Sequence, residues 1–83
     1  MKVSNFTFLK GPDIDNNLLF IEVCDENKKL IFHVTYDEKT SDINVHLNSH
    51  HFPFEIEIDE FTKLLEKLKA DLKDWAIRVA DPL

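Results

Sequence analysis

The histidines are the residues of this sequence best suited to chemistry. Three of the four, His46, His50 and His51, fall within six residues of one another, and Glu55 follows them closely. Imidazole and carboxylate groups together are common ligands of Zn²⁺ and Fe²⁺. The fourth, His33, lies in a separate apolar stretch. A metal site therefore depends on whether the fold brings His33, His46 and Glu55 side by side.

Runs of β-branched, aromatic or alternating apolar residues predict strands in the first 60 residues. Five such runs occur, at residues 3–9, 18–24, 29–36, 43–48 and 54–58. Turn-forming residues separate the first four of them, at 10–17, 25–28 and 37–42. Because short turns join antiparallel neighbours, the pattern predicts a five-stranded antiparallel meander.

The apolar period then changes to three and four residues, which is typical of one face of a helix. The apolar positions are Phe61, Leu64, Leu65, Leu68, Leu72, Trp75, Ala76 and Val79. Asp59 is the predicted N-cap. Pro82 disfavours helical geometry at the residue before it, so we expect the helix to end near Ala80. The predicted fold is one α+β domain over residues 1–83, with a long C-terminal amphipathic helix on one sheet face.

Matching the inward-facing residues gives a register for each hairpin. Ile21 is predicted opposite Phe32, and Val34 opposite Val45, with Ile56 next to Val45 in the fifth strand. All three hairpins then agree on one core face, although a slip of two residues in any of them would preserve that agreement.

The same register predicts the outer face. Phe20 lies opposite His33, His33 opposite His46, and His46 opposite Glu55. Neighbouring Cβ atoms in such a row are about 5 Å apart, and His50 or His51 could add a further ligand. The alternative, which we favour, is a solvated polar face with an ordinary His46–Glu55 pair, no bound metal and no cofactor.

Charge is distributed unevenly along the chain, whose formal net charge is −6. Residues 1–60 hold 12 acids and 5 bases, whereas residues 61–83 hold 4 acids and 5 bases. An acidic sheet repels phosphate, which argues against direct DNA or RNA binding and favours a partner protein with a basic surface. The single cysteine rules out an internal disulfide and cysteine-rich zinc modules. No apolar run has the length of a membrane span or a secretory signal, so we expect a cytoplasmic protein.

The features above favour a binding protein over an enzyme. Gly11 is the only glycine, so a glycine-rich phosphate loop is excluded. In architecture and charge alone, a compact acidic domain of this kind resembles small bacterial toxin-immunity proteins and phage anti-defence proteins. That resemblance implies an inhibitor that masks a basic surface of its partner. Residues 37–60, with 7 acids and 1 base, are the expected surface, and reversing the charges of Glu55 and Glu57 should slow association. The predicted partner-binding residues are Asp37, Glu38, Asp42, His46, Glu55, Glu57, Phe20 and Ile31.

A homodimeric assembly subunit is the second hypothesis. A helix from Asp59 to Ala80 would be roughly 33 Å long, whereas the diagonal of the predicted sheet is only about 28 Å. Its last turn should therefore overhang and leave Trp75, Ile77 and Val79 available for self-association. The opposing interpretation is that the N-terminal strand or the loop at residues 10–17 folds over this end of the helix and buries it within one chain.

Overall fold

The computed structural model describes residues 2–48 and 55–80, which form one antiparallel sheet and one long helix. A 3-10 turn at Val3–Asn5 precedes the sheet. The strands are β1 (Thr7–Asp13), β2 (Leu18–Cys24), β3 (Leu30–Asp37) and β4 (Ile43–Leu47), neighbours in that order, and the helix is α1 (Ile58–Ala80). The α+β class, the antiparallel sheet and the C-terminal helix are confirmed, but the sheet formed by the described residues has four strands rather than five.

The fifth strand predicted at 54–58 is wrong. Residue 54 lies outside the described residues, residues 55–57 form no strand, and Ile58 is the first residue of α1. The side chain of Glu57 accepts a hydrogen bond from the backbone N–H of Glu60 at 2.9 Å, which caps the helix in place of Asp59. Ile56 packs against the core but Ile58 is 78% exposed, so the apolar alternation does not form one continuous buried face. Acidic residues stabilise the first turn of a helix and are rare in strands. Asp59 and Glu60 therefore favour the helix over the predicted strand.

The first strand lies later than the sequence predicted. Residues 3–5 form the 3-10 turn, and β1 continues through Gly11 and Pro12, which look like strand breakers in the sequence. β1 is at one side of the four-stranded order, where a proline is tolerated because its missing N–H need not pair. A Cβ atom at Gly11 would lie 2.5 Å from Cζ of Phe20, so the glycine makes room for that ring.

The register of the sheet follows the prediction on one side and departs from it on the other. In the β3–β4 hairpin, Val34 pairs with Val45 as predicted. In the β2–β3 hairpin, Ile21 pairs with Val34 rather than with Phe32, a shift of two residues. A bulge opposite Val23 and Cys24 accompanies the shift, and the core face is unchanged because the shift is even.

The bulge also explains the position of Ile31, which was predicted on the outer face. Phe32 pairs with Val23 and Leu30 with Cys24, so Ile31 is the extra residue between them. Its side chain is fully buried. The expectation that Ile31 is exposed for partner binding is therefore wrong.

The core lies between the helix and the two central strands. α1 packs against β2, β3 and the 3-10 turn, and its residues Leu64, Leu68 and Leu72 are buried. Phe61 meets Phe32 edge-on, with ring centroids 5.5 Å apart. The predicted burial of Leu68 is thus confirmed. None of the helices in the described ranges has both the length and the apolar character needed to cross a membrane.

An aspartate opens each of the three hairpin turns. The Asp13 carboxylate accepts from the Asn16 amide groups, Asp25 from the N–H groups of Asn27 and Lys29, and Asp37 from the N–H groups of Lys39 and Thr40. Each turn also contains a residue with positive φ, at Asn17, Lys28 and Ser41. Side-chain bonds of this kind replace missing backbone partners and hold the turns in place.

Candidate functional site

The outer sheet face carries a stacked histidine pair. His33 on β3 pairs directly with His46 on β4, as the register predicted. The two rings are nearly parallel, at 9°, with centroids 4.5 Å apart. Nε2 of His46 lies 3.1 Å from Oγ1 of Thr35, within hydrogen-bonding distance. The pair is thus held by strand pairing and by a neighbouring hydroxyl group.

The predicted metal row is incomplete. Glu55 does not lie on a strand beside His46, since the strand that would have placed it there is missing from the described residues. Glu22 pairs with His33 instead, so the row across the sheet runs from Glu22 to His33 to His46. Among residues 2–48 and 55–80, no three His, Cys, Asp or Glu side chains are grouped so that they could hold a metal ion. The further candidates at 50 and 51 lie outside the described residues.

The surroundings of His33 predict that the stability of the fold is sensitive to acid. Burial lowers the pKa of His33, the nearby His46 lowers it further, and Glu22 acts in the opposite direction. A histidine whose pKa is lower in the folded state than in the unfolded state takes up a proton more readily when unfolded. The stability that neutral His33 contributes is therefore fully present above the pKa that histidine has in the unfolded state, and it is lost as the pH falls below that pKa.

We accordingly expect the free energy of unfolding to decrease between about pH 7.5 and about pH 5.5, the range in which histidine titrates. Urea unfolding at the two pH values measures this decrease. The His33→Gln variant should show a smaller decrease than the wild type, because it removes the group with the lowered pKa. An equal decrease in both proteins would assign the effect to other groups.

The single cysteine has the opposite character to a catalytic nucleophile. Burial raises the pKa of the Cys24 thiol, and the carboxylates of Glu22 and Asp25 raise it further. The thiolate is the reactive form, so a raised pKa leaves the group protonated at neutral pH. The environment of Cys24 thus argues against a reactive thiol at this position.

The predicted acidic surface is divided between the two ends of the domain. Asp37, Glu38 and Asp42 lie on the β3–β4 turn, beside the C-terminal half of α1. Glu57 lies at the N-terminus of α1, and Glu55 is two residues before it. A helix of 23 residues is roughly 34 Å long. The two groups of carboxylates therefore cannot contact one small surface together.

Two further carboxylates join the group on the β3–β4 turn. The N–H of Glu38 donates a hydrogen bond to the carbonyl of Asn17 at 3.0 Å, so the β3–β4 turn touches the β1–β2 turn. The β1–β2 turn adds Asp13 and Asp15, and Lys39 is the one base in residues 13–17 and 37–42. We call this surface the acidic end and define it as Asp13, Asp15, Asp37, Glu38 and Asp42. The sequence pattern missed Asp13 and Asp15 because it did not pair the two turns.

An apolar groove lies between the acidic end and the last turns of α1. Its volume is about 330 Å³, and it is lined by Pro12, Ile14, Asn17, Leu19, Glu38, Trp75 and Val79. Ile14 is 82% exposed and Val79 is 50% exposed, while Trp75 is half-buried. Below, these seven residues are called the end groove.

Two of the three residues predicted for self-association line the end groove. Trp75 and Val79 line it, whereas Ile77 is 67% exposed and does not. The β1–β2 turn lies beside the end of the helix through Ile14 but leaves Val79 half exposed. The loop thus borders this end of the helix without closing over it.

Phe20 lies on the outer sheet face and does not line the end groove. It pairs with Gly11 on one side and with Thr35 on the other. Its ring lies over the glycine and is half-buried. Phe20 and His46 therefore belong to the outer sheet face, and the predicted partner-binding residues do not form a single surface.

Comparison with protein-family models, with curated proteins and with solved structures gives no match. The acidic end and the end groove have to be interpreted from their own geometry and charge.

Proposed function

We propose that this protein is a small acidic binding module that recognises a basic surface of another protein through the acidic end and masks it. The observation that carries the proposal is the junction of two turns by the Glu38–Asn17 hydrogen bond. That junction collects five carboxylates at one end of a domain whose net charge is −6. The masked surface would be one that the partner uses to bind nucleic acid, which makes this protein an inhibitor.

The physical basis is electrostatic. Carboxylates gathered on one surface create a negative potential that raises the rate at which a positively charged surface is encountered. The gain depends on salt, because ions screen exposed charges over about 10 Å at 0.1 M ionic strength. Complementary charge also discriminates against acidic partners, which are repelled.

Affinity capture from the native host tests the proposal. Wild-type protein, a Glu38→Lys/Asp42→Lys variant and a Glu26→Lys/Glu66→Lys control are immobilised and exposed to lysate. Both double variants change the net charge equally, but only the first alters the acidic end. A partner with a basic surface should bind the wild type and the control and should be lost from the first variant. Equal capture by all three proteins would contradict the proposal.

A homodimeric assembly subunit is the second candidate, favoured by the exposure of Ile77 and Val79 at the end of α1. Sedimentation equilibrium of the wild type and of Ile77→Lys separates the two candidates. A monomeric wild type at high micromolar concentration excludes the homodimer. A dimer that dissociates in Ile77→Lys would support it.

A further inference from the structure

We infer that the end groove receives an apolar side chain from a basic helical segment of the partner. This inference rests on the proposed function, to which it adds the kind of segment recognised. The acidic end would attract the segment, and the groove would hold it.

The size and the lining of the end groove suit side chains better than a cofactor. Its 330 Å³ is near the lower end of the roughly 300–1,000 Å³ of small-molecule sites. Apart from Asn17 and Glu38, the lining is apolar: Pro12, Ile14, Leu19, Trp75 and Val79. Apolar anchor residues that enter a preformed pocket contribute much of the affinity of protein interfaces.

A second depression shares part of its lining with the end groove. It has a volume of about 170 Å³ and is lined by Leu19, Tyr36, Glu38, Ala76 and Val79. It shares Leu19, Glu38 and Val79 with the end groove, so the two depressions are neighbours. Side chains three or four residues apart on a helix are about 5–6 Å from each other. A single helix could thus place one anchor in each depression.

Charge decides between a second copy of this chain and a basic partner. A two-fold symmetric contact through the end groove would bring two identical acidic ends together. Five carboxylates against one lysine on each copy would then repel one another. A segment with lysine or arginine beside its apolar anchors meets the opposite sign of charge, and it is the occupant we propose.

Trp75 makes the inference directly measurable, since it is the only tryptophan and lines the groove. The probe is a synthetic amphipathic peptide of about four helical turns made of leucine and lysine, with leucine at i, i+3, i+4 and i+7. The reference peptide has glutamate in place of lysine. The lysine peptide should change the Trp75 emission saturably, and the glutamate peptide should not.

Two matched substitutions locate the binding site. Ile14→Asn alters the groove without adding charge, whereas Ile58→Asn makes the same change at the other end of α1, and both isoleucines are about equally exposed, at 82% and 78%. We expect Ile14→Asn to weaken binding at least about tenfold, because it places a polar amide in an apolar contact, and Ile58→Asn to leave it unchanged. Circular dichroism confirms that both variants are folded.

The remaining outcomes each overturn the inference. One such outcome is that the lysine peptide leaves the Trp75 emission unchanged but shifts the amide NMR signals of residues 13–17 and 37–42, and that these shifts vanish in salt. The peptide would then bind the acidic end without entering the end groove, which contradicts the inference and leaves the proposed function standing. Equal binding of the lysine and glutamate peptides would show that positive charge is not needed for binding. That outcome contradicts both the basic segment inferred here and the proposed function. Equal affinity of the Ile14→Asn and Ile58→Asn variants would place the peptide elsewhere.

Discussion

Replacement of Leu68 by alanine should lower the free energy of unfolding by roughly 2–5 kcal/mol, the range measured for buried leucines. Leu68 is 3% exposed and lies on α1 between Leu64 and Leu72, which are also buried. Truncation removes its apolar contacts and leaves a cavity that the surrounding side chains fill only partly. A domain of 83 residues has a total stability of roughly 4–12 kcal/mol, so the loss is a large share of the whole.

Urea unfolding of the wild type, of Leu68→Ala and of Ile58→Ala measures this effect. Ile58 belongs to the same helix but is 78% exposed, so its truncation should change the stability by less than about 0.5 kcal/mol. The midpoint of Leu68→Ala should fall while the slope stays constant. A change of less than about 1 kcal/mol for Leu68→Ala would mean that α1 is not packed on β2 and β3 as described.

Reversing Glu38 and Asp42 to lysine should slow association with the captured partner at low salt by at least about tenfold, the lower end of the range for electrostatic steering. The Glu26→Lys/Glu66→Lys control should slow it much less, although its net charge is the same. The reason is that Glu38 and Asp42 act together with Asp13, Asp15 and Asp37 at one surface.

Stopped-flow kinetics at increasing salt measures both variants. The rates of the wild type and the acidic-end variant should converge as salt screens the charges. Equal rates for the two double variants at low salt would mean that total charge, rather than its position, controls the encounter. These substitutions replace Glu55 and Glu57 as the sites of the test, because Glu57 caps the helix and its reversal would also disturb the fold.

The sequence predicted most reliably the elements whose local pattern and tertiary role agree. β2 occupies residues 18–24 as predicted, and α1 ends at Ala80 near Pro82. Leu64, Leu68 and Leu72 recur at helical spacing and are buried together. In these segments the apolar period, the neighbouring turns and the burial lead to the same result.

The predictions failed where two local preferences compete. The segment 54–58 alternates like a strand, but Glu57 can cap a helix and Asp59 and Glu60 favour its first turn. Gly11 and Pro12 look like turn residues, yet an edge strand accommodates both. The bulge at Ile31 has no signal in the apolar pattern, because the shift of two residues in the rest of the hairpin keeps the same faces of β2 and β3 inward.

The candidate site was harder to predict than the fold because it depends on contacts between distant turns. The His33–His46 pair followed from one hairpin register, which was correct. The acidic end required the β1–β2 and β3–β4 turns to meet, through the Glu38–Asn17 bond. Because the first strand was predicted to end before Gly11, the sequence did not indicate that these two turns are in contact.

Hydrogen–deuterium exchange of the protein alone and in complex with the captured partner locates the bound surface. Complex formation should slow exchange at residues 13–17, 37–42 and 75–79, which include the acidic end and part of the last turns of α1. Protection confined instead to the outer sheet face around His33 and His46, or to the N-terminus of α1 around Glu57, would contradict the proposed function.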